Sequence, residues 1–367
     1  MTTARQLSAP VPPGGMIGIL GGGQLGRMLA LAAARLGLKT HIFSDVAEAP
    51  AFQVSDRHTV AAYDDRAALI DFAAHCDAIT YEFENVPART AAVLAGLKPT
   101  YPGARALAVA QDRLEEKTFL KSLGLGTAPF AAVSSVEEAR AAFAALGSGP
   151  AVLKTRRLGY DGKGQAKVTS ANDAAQAFEH FHGAASILES FVDFAFEASV
   201  IGARGIAGDF AAYDPPENQH EHHILKRSIV PGKLTGAEGD EAKAIARKVT
   251  EALGYVGVIG VELFVTAAGG LLVNEYAPRV HNSGHWTLDA CAVSQFEQHI
   301  RCVAGWPLGD TARHSDAVME NILGEEAAGW QKLSASGGAL HLYGKADIRP
   351  GRKMGHITFL SPRPRPR

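Results

Sequence analysis

The stretch IGILGGGQLGRM, residues 17 to 28, constrains the fold more than any other part of the chain. An apolar run breaks into glycines, and a helical pattern starts at once. Leu25, Met28, Leu29, Ala32 and Leu36 share one face, and Gly37 closes the helix. KTHIFS and AITYEF then read as strands, and DDRAALIDFAAHC and PARTAAVLAGL as helices. A proline in the first turn marks the start of the last one. The alternation predicts a parallel sheet with helices on both faces. Gly21, Gly23 and Gly26 also match the dinucleotide fingerprint, and Asp45 follows near the spacing of a ribose ligand. The physical content of the loop is narrower. It is a tight turn whose helix-start N–H groups can meet an anion, with Gln24 at its mouth. A dinucleotide, another phosphate-bearing ligand and tight packing are the three readings it allows.

The texture changes further on. QDRLEEKTFLKSLG and SSVEEARAAFAALG read as helices, the second with Ser135 and Glu138 spaced as a capping box. From 151 to 276 strands dominate: AVLKTR, QAKVTS, ASILESF, FEASVIGAR, DFAAYD and HILKRSIV, interrupted by a helix at about 238 to 253. GVIGVELFVT and GGLLVNEYA flank TAAGG, a hairpin signal. This is an α+β pattern rather than a second doubly wound one. Helices return at 285 to 304, and GGALHLYGKADIRPGRKMGHITFL reads as short strands around a proline-glycine turn. At 367 residues the chain exceeds one core, so two or three domains are expected.

Composition narrows the function class. The chain is 47% hydrophobic and 20% charged, with a net charge of −2. A general nucleic-acid or membrane-surface binder would carry a basic excess. Three cysteines without metal-ligand spacing read as thiols of a reducing, cytoplasmic compartment. MTTARQLSAPVPPGG has no apolar segment of a secretion signal and reads as a disordered leader. No run reaches the roughly 20 apolar residues of a membrane helix. SPRPRPR reads as a frayed tail.

Four stretches can carry chemistry. RRLGYDGKGQ follows a strand that contains Lys154, and such a glycine-rich connection can close over phosphates through its amides. Lys154 would serve as a point charge. In VELFVTAAGGLLVNEYAPRVHNSGHW, Glu262 and Glu275 can pair across a hairpin. Two carboxylates among apolar neighbours need a cation, and with Asn274 they suit Mg²⁺ bridging phosphates. Arg279, His281 and Asn282 together suit a small oxyanion. Lys345, Arg349, Arg352 and Lys353 cluster at a turn, either as a solvated face or as a second phosphate clamp. HEHH, 220 to 223, lacks the supporting ligands of a zinc site.

The glycine loop after Lys154, with Glu262 and Asn274-Glu275 on neighbouring strands, resembles the ATP-grasp family. GGGQLGRM, YEFEN, YDGKGQ, GYVGVIGVELFVT, NEYAPRVHNSGHWT and RPGRKMGH together resemble the N5-carboxyaminoimidazole ribonucleotide synthetases of purine biosynthesis. The resemblance implies an α/β and α+β chain. A Rossmann-like preATP-grasp domain at 16–110 would follow a leader at 1–15. An ATP-grasp domain at 111–309 and a small β-rich C-terminal domain at 310–361 come next, with the tail at 362–367. It implies a homodimer that uses MgATP and bicarbonate to carboxylate 5-aminoimidazole ribonucleotide through carboxyphosphate. ATP contacts would then fall on Arg113, Lys154, the loop Tyr160, Asp161, Gly162, Lys163, Gly164 and Gln165, and on Glu189, Ser190, Phe191 and Val192. Glu197, His220, Asn274 and Glu275 complete that set. Glu262 and Glu275 would hold Mg²⁺. Tyr160, Arg279, His281, Asn282 and Lys345 would form the bicarbonate pocket. Gln24, Lys345 and Arg352 would clamp the ribonucleotide phosphate, with Glu82 and Asp161 near the aminoimidazole. Within ENQHEHHIL, His223 stands where the family usually has glycine, which puts the local turn at His220 in question. A nicotinamide-dependent oxidoreductase and a non-catalytic nucleotide-binding regulator are the alternative readings. The first leaves the 262 to 286 cluster unused, and the second would need a damaged metal pair.

Overall fold

The structure, a computed structural model, describes residues 5–159, 163–234 and 236–363. Strands β1 (Met16–Leu20), β2 (Lys39–Ser44), β3 (Arg57–Val60) and β4 (Ala78–Tyr81) form a parallel sheet in the order β3-β2-β1-β4. Helix α1 (Gln24–Arg35) packs on the face of Ile17, Ile19 and Ile42. Helices α2 (Arg66–Ala74) and α3 (Ala88–Leu97) pack on the opposite face, with Leu20, Phe43 and Ile79. The expected two-sided α/β layer is therefore present. β3 is an additional edge strand whose RHTV sequence carries little apolar signal.

Helices α4 (Ala104–Ala110) and α5 (Arg113–Ser122) lead into the central region. There β5 (Phe130–Val133), β6 (Ala151–Thr155), β7 (Gln165–Val168) and β8 (Ser186–Ser190) form an antiparallel sheet in the order β5-β8-β6-β7. Helices α6 (Val136–Ala145) and α7 (Ala171–His180) back it through Phe143, Phe178 and Leu188. Ser135 caps α6 by accepting from Glu138 N at 3.2 Å, and the Glu138 carboxylate reaches back to Ser134 N.

The third sheet contains β9 (Phe194–Arg204), β10 (Phe210–Ala212), β11 (Glu217–Glu221), β12 (Ile224–Val230), β13 (Gly257–Thr266), β14 (Leu271–Ala277), β15 (Ser315–Leu323), β16 (Ala339–Leu342) and β17 (Lys353–Pro362). Its order is β14-β13-β9-β11-β12-β15-β17-β16, with β10 beside β9. The C-terminal strands thus extend the central sheet instead of forming a sheet of their own, because β12 pairs with β15 from Arg227↔Glu320 to Val230↔Ala317. Helix α8 (Gly236–Leu253) packs on β9 and β13. Helices α9 (Thr287–Ala290), α10 (Gln295–Ala304) and α11 (Trp330–Ser334) complete the chain.

One core joins the first sheet to the third, while β5–β8 and their helices keep a core of their own. Phe296, Ile300 and Val303 of α10 meet Leu25 and Leu29 of α1, and the same cluster includes Val258, Met319 and Tyr343. The expectation of a disordered leader is corrected at residues 5–15. Val11 N donates to the Ala304 carbonyl at 2.8 Å, and the Trp306 indole donates to the Val11 carbonyl at 2.7 Å. Val11 is buried and Leu7 packs on the shared core. Prolines there set an extended strap, which composition alone does not distinguish from a loose one. Tail residues 364–367 lie outside the described residues, whereas Pro362 still pairs with Ser315.

Candidate functional site

A cavity of about 1440 Å³ opens where the three sheets converge. Single-ligand pockets run to roughly 1,000 Å³, so this one has room for two. Its wall includes Gln24, Glu82, Arg113, Lys154, Lys163 and Gln165, then Glu189 to Val192, Glu197 and His220. Glu262, Asn274, Glu275, Arg279, His281, Asn282, Lys345 and Arg352 line it as well. Tyr160, Asp161 and Gly162 lie outside the described residues. Gly164 does not line the cavity. It sits at φ +68°, where a Cβ would meet the Thr155 hydroxyl at 2.6 Å, so it serves the β6–β7 turn.

The carboxylate pair forms as its spacing allowed. Glu262 of β13 stands opposite Glu275 of β14, next to a register shift between Glu262 and Leu263. Each has a nitrogen partner. Arg113 Nη1 is 2.7 Å from Glu275 Oε2, and His281 Nε2 is 3.1 Å from Glu262 Oε1. Burial pushes the Glu275 carboxyl up, but the Arg113 charge, then Lys154 and Lys117, more than offset this and hold it at about 2. Both carboxylates are oxygen donors of the kind a hard divalent cation takes.

Beside them lies a buried cation–carboxylate knot that the sequence reading only half found. Glu189 Oε2 accepts from Lys154 Nζ at 3.0 Å and lies 3.5 Å from Lys117 Nζ. Desolvation lowers the Lys117 pKa, against the pull of Glu189. Burial raises the Glu189 pKa, yet the two lysines bring it below its ordinary value. Glu189 Oε1 is buried without a hydrogen-bond partner among the described residues. Sequence reasoning missed Lys117. The available signal was a helix α5 on which charged Glu116 and Lys117 share the buried side with Leu120. Asp112 caps that helix through Leu114 N and also receives Arg156 Nη2 at 2.8 Å and Arg157 Nε at 3.2 Å. The stem of the second glycine-rich loop is thereby tied to α5.

Arg279 is held by a partner not singled out from the sequence. Its Nε and Nη2 meet the two Glu84 oxygens at 2.5 and 3.1 Å, a bidentate pair. Glu84 stands in the YEFEN segment after β4. His281 Nδ1 contacts the Ser283 hydroxyl at 2.8 Å, and Ser283 contacts Ser199 at 2.7 Å. Asn282 differs from the expectation of an amide open to an oxyanion. Its Nδ2 donates to Asn321 Oδ1 at 2.9 Å and to His285 Nδ1 at 3.0 Å, while its Oδ1 accepts from Asn321 at 2.7 Å. The amide fixes the chain between β14 and α9.

At the opposite end, the opening glycines hold a ligand of the protein's own. Glu82 Oε1 accepts from Gly23 N at 2.5 Å and Oε2 from Gly26 N at 2.6 Å. A Cβ at Gly21 would meet Glu82 Cγ at 2.1 Å, and one at Gly23 would meet Oε1 at 2.6 Å. The helix-start anion is therefore a carboxylate, which corrects the reading of GGGQLG as a phosphate cradle. Asp45 is exposed at the strand end, with no role in this contact. Burial pushes the Glu82 pKa up, while the Gly26 and Gly23 amides, Lys345 and Arg279 act against it. Lys345 Nζ donates to the Lys353 carbonyl at 2.7 Å, and Arg352 Nη1 to the Asp347 carbonyl at 2.9 Å.

Glu197 Oε2 and His220 Nδ1 lie 2.6 Å apart. The substitution at His223 leaves this contact intact. His222 and His223 both take left-handed backbone, φ +50° and +65°, and make the two-residue turn that glycine usually eases. No zinc cluster forms from HEHH among the described residues.

The ribonucleotide synthetase preATP-grasp domain family matches residues 15–111, the ATP-grasp domain family 118–296, and the phosphoribosylaminoimidazole carboxylase C-terminal domain family 317–365. The chain is 52% identical over 357 residues to the N5-carboxyaminoimidazole ribonucleotide synthase of Brucella melitensis, covering 96% of this chain and 98% of that one. The chain belongs to the N5-carboxyaminoimidazole ribonucleotide synthase family. The synthetase of Thermus thermophilus matches with 47% identity and a TM-score of 0.89, covering 94% of each chain. The Aspergillus clavatus synthase, in complex with ADP and 5-aminoimidazole ribonucleotide, matches at 30% identity and a TM-score of 0.88, over 95% of this chain and 94% of that one. These matches place the synthase family's three-domain ATP-grasp architecture on this chain.

Proposed function

We propose that this chain joins bicarbonate to the exocyclic amine of 5-aminoimidazole ribonucleotide with cleavage of ATP to ADP and phosphate, in purine biosynthesis. The observation that carries the reading is the shared cavity. Facing Glu262 and Glu275 share it with Arg113, Arg279, His281 and a separate basic cluster at Lys345 and Arg352. A phosphoryl transfer needs charge neutralisation and alignment more than a covalent partner.

The nucleotide lies under the second glycine-rich loop in this reading. Lys154, Arg113, Lys163 and Gln165 address its phosphates. Glu189 to Val192, Glu197, His220 and Asn274 address the rest. Glu262 and Glu275 would hold Mg²⁺, which supplies neutralisation of phosphate charge. A bicarbonate oxygen, oriented by Arg279 and His281, attacks the γ-phosphorus, and the bond to ADP breaks. Carboxyphosphate then releases phosphate by C–O cleavage. The amine attacks the carbon dioxide formed and loses a proton to the departing phosphate. Exclusion of water protects the short-lived intermediate, and Tyr160 to Gly162 belong to the loop that would supply it. Lys345, Arg352 and Gln24 hold the ribonucleotide phosphate, with Glu82 beside the base. Asn282 is a positioning residue through its pairing with Asn321. A homodimer in the cytoplasm, with small-molecule substrates and no nucleic-acid or membrane partner, completes the proposal. No described helix is long and apolar enough to cross a membrane.

Isotope transfer tests the route. With bicarbonate labelled by ¹⁸O, the bridging oxygen stays with phosphorus, so the phosphate released in each turnover carries one labelled oxygen. Unlabelled phosphate from a fully active preparation would refute it.

A further inference from the structure

A second cluster lies where α9 meets the last strands, and none of its three members lines the large cavity. His341 of β16 and His356 of β17 are cross-strand partners, with rings stacked 4.4 Å apart and 10° from parallel. Asp289 of α9 places both carboxylate oxygens 3.1 Å from His341 Nε2. One nitrogen of each imidazole and one oxygen of Asp289 lie within 4.8 Å of one another. His356 is fully buried, and its Nε2 has no hydrogen-bond partner among the described residues.

Hydrogen-bond polarity can be followed from Asn321 to His285, next to that ring. Asn321 Nδ2 donates to the Leu225 carbonyl at 2.8 Å, which fixes the Asn321 amide. Its Oδ1 therefore accepts from Asn282 Nδ2, which fixes the Asn282 amide in turn. Asn282 Nδ2 must then donate to His285 Nδ1, so that nitrogen carries a lone pair. The Tyr343 hydroxyl lies 3.1 Å from the same nitrogen. It also meets His356 Nδ1 at 2.9 Å. With Nδ1 engaged by Tyr343, Nε2 is the nitrogen of His356 left for a further partner.

A buried ring nitrogen with no partner is costly, and a cation bound to its lone pair removes that cost. Here it stands in a cluster with a carboxylate and a second imidazole, while Tyr343 steadies the far side of its ring. Two imidazole nitrogens and one carboxylate oxygen form a borderline donor set that prefers zinc-class ions to magnesium. We propose that Asp289, His341 and His356 bind a divalent transition-metal ion of the zinc class, fastening α9 to the C-terminal strands. On binding, His341 Nε2 exchanges its proton for the ion, and the proton leaves to solvent. The His341 side chain is 32% exposed, which gives the ion an entry path.

The metal-stripped full-length chain would be titrated with Zn²⁺ by calorimetry in excess Mg²⁺. One Zn²⁺ per chain is expected to bind at this site. His341→Gln, at a partly exposed position, and Asp289→Asn should each weaken that binding by at least about tenfold. A double variant, His222→Gln with His223→Gln, should bind as the unaltered chain does. The proposal is overturned if the unaltered chain takes up no Zn²⁺, if His341→Gln binds equally well, or if binding is lost only in the His222/His223 variant.

Discussion

The two glycine-rich loops look alike in sequence and differ in what meets their backbone. GGGQLG starts α1, and Glu82 already bridges its Gly23 and Gly26 amides. The loop that ends in Gly164 and Gln165 joins two strands, and no such carboxylate bridge is seen among its described residues. Its stem is anchored by Asp112 to Arg156 and Arg157, and Arg113 donates to the Gly159 carbonyl at 3.3 Å. A glycine pattern therefore marks where a backbone can receive an anion, not which anion arrives. In the first loop the protein supplies it. Beside the second, Lys154 and Arg113 line the cavity where a phosphate would sit.

Four substitutions would sharpen or break this contrast. The largest effect is expected at the second loop's floor, where Glu275→Gln should lower kcat/KM by on the order of 10²–10³-fold, the size seen on losing one preorganised charge-stabilising group. Activity within a few-fold of the unaltered enzyme, measured by ADP release, would contradict the role given to the carboxylate pair. Lys345→Ala should raise KM for the ribonucleotide about tenfold, one lost charged contact, and leave KM for ATP nearly unchanged. Equal increases in both would merge the two ends of the cavity into one.

At the first loop, Glu82→Gln sets an amide NH₂ against a backbone N–H. It should destabilise the fold by about 1–3 kcal/mol in denaturant unfolding, the cost of a buried unmatched donor. Unchanged stability would mean that the glycine amides do not depend on this carboxylate. The smallest effect is expected at the second loop's stem. Asp112→Asn keeps a capping oxygen but loses the charge, for about 1 kcal/mol at neutral pH. Burial raises the Asp112 pKa, and Arg156 then brings it below its ordinary value. A depressed carboxyl stabilises the fold above its unfolded pKa, about 3.9, and loses that contribution as pH falls through the folded value. The gap between variant and unaltered chain should therefore close below about pH 4. A gap that persists in stronger acid would mean that the ion pairs are not its source.

Much of this was legible in the sequence because it was periodic or local. The strand–glycine–helix start, the Ser135 cap and the hairpin that faces Glu262 with Glu275 each follow from residues near one another in the chain. What was not legible depends on long-range pairing. Glu82 and Glu84 find Gly23 and Arg279 only once the sheet is assembled. Lys117 sits on a helix face whose burial is set by the distant Glu189 and Val273. β11, with the sequence ENQHE, has no apolar alternation and is a strand because β9 and β12 flank it. The leader reads as loose in composition and is strapped down by Ala304 and Trp306.

The central claim is that one cavity couples a nucleotide at the second loop to a ribonucleotide near the first. ADP release with magnesium, measured with each substrate omitted in turn, tests it most directly. Rapid ADP formation is expected only when 5-aminoimidazole ribonucleotide and bicarbonate are both present, with one ADP formed for each ribonucleotide carboxylated. ADP formation at the full rate without either one would contradict it.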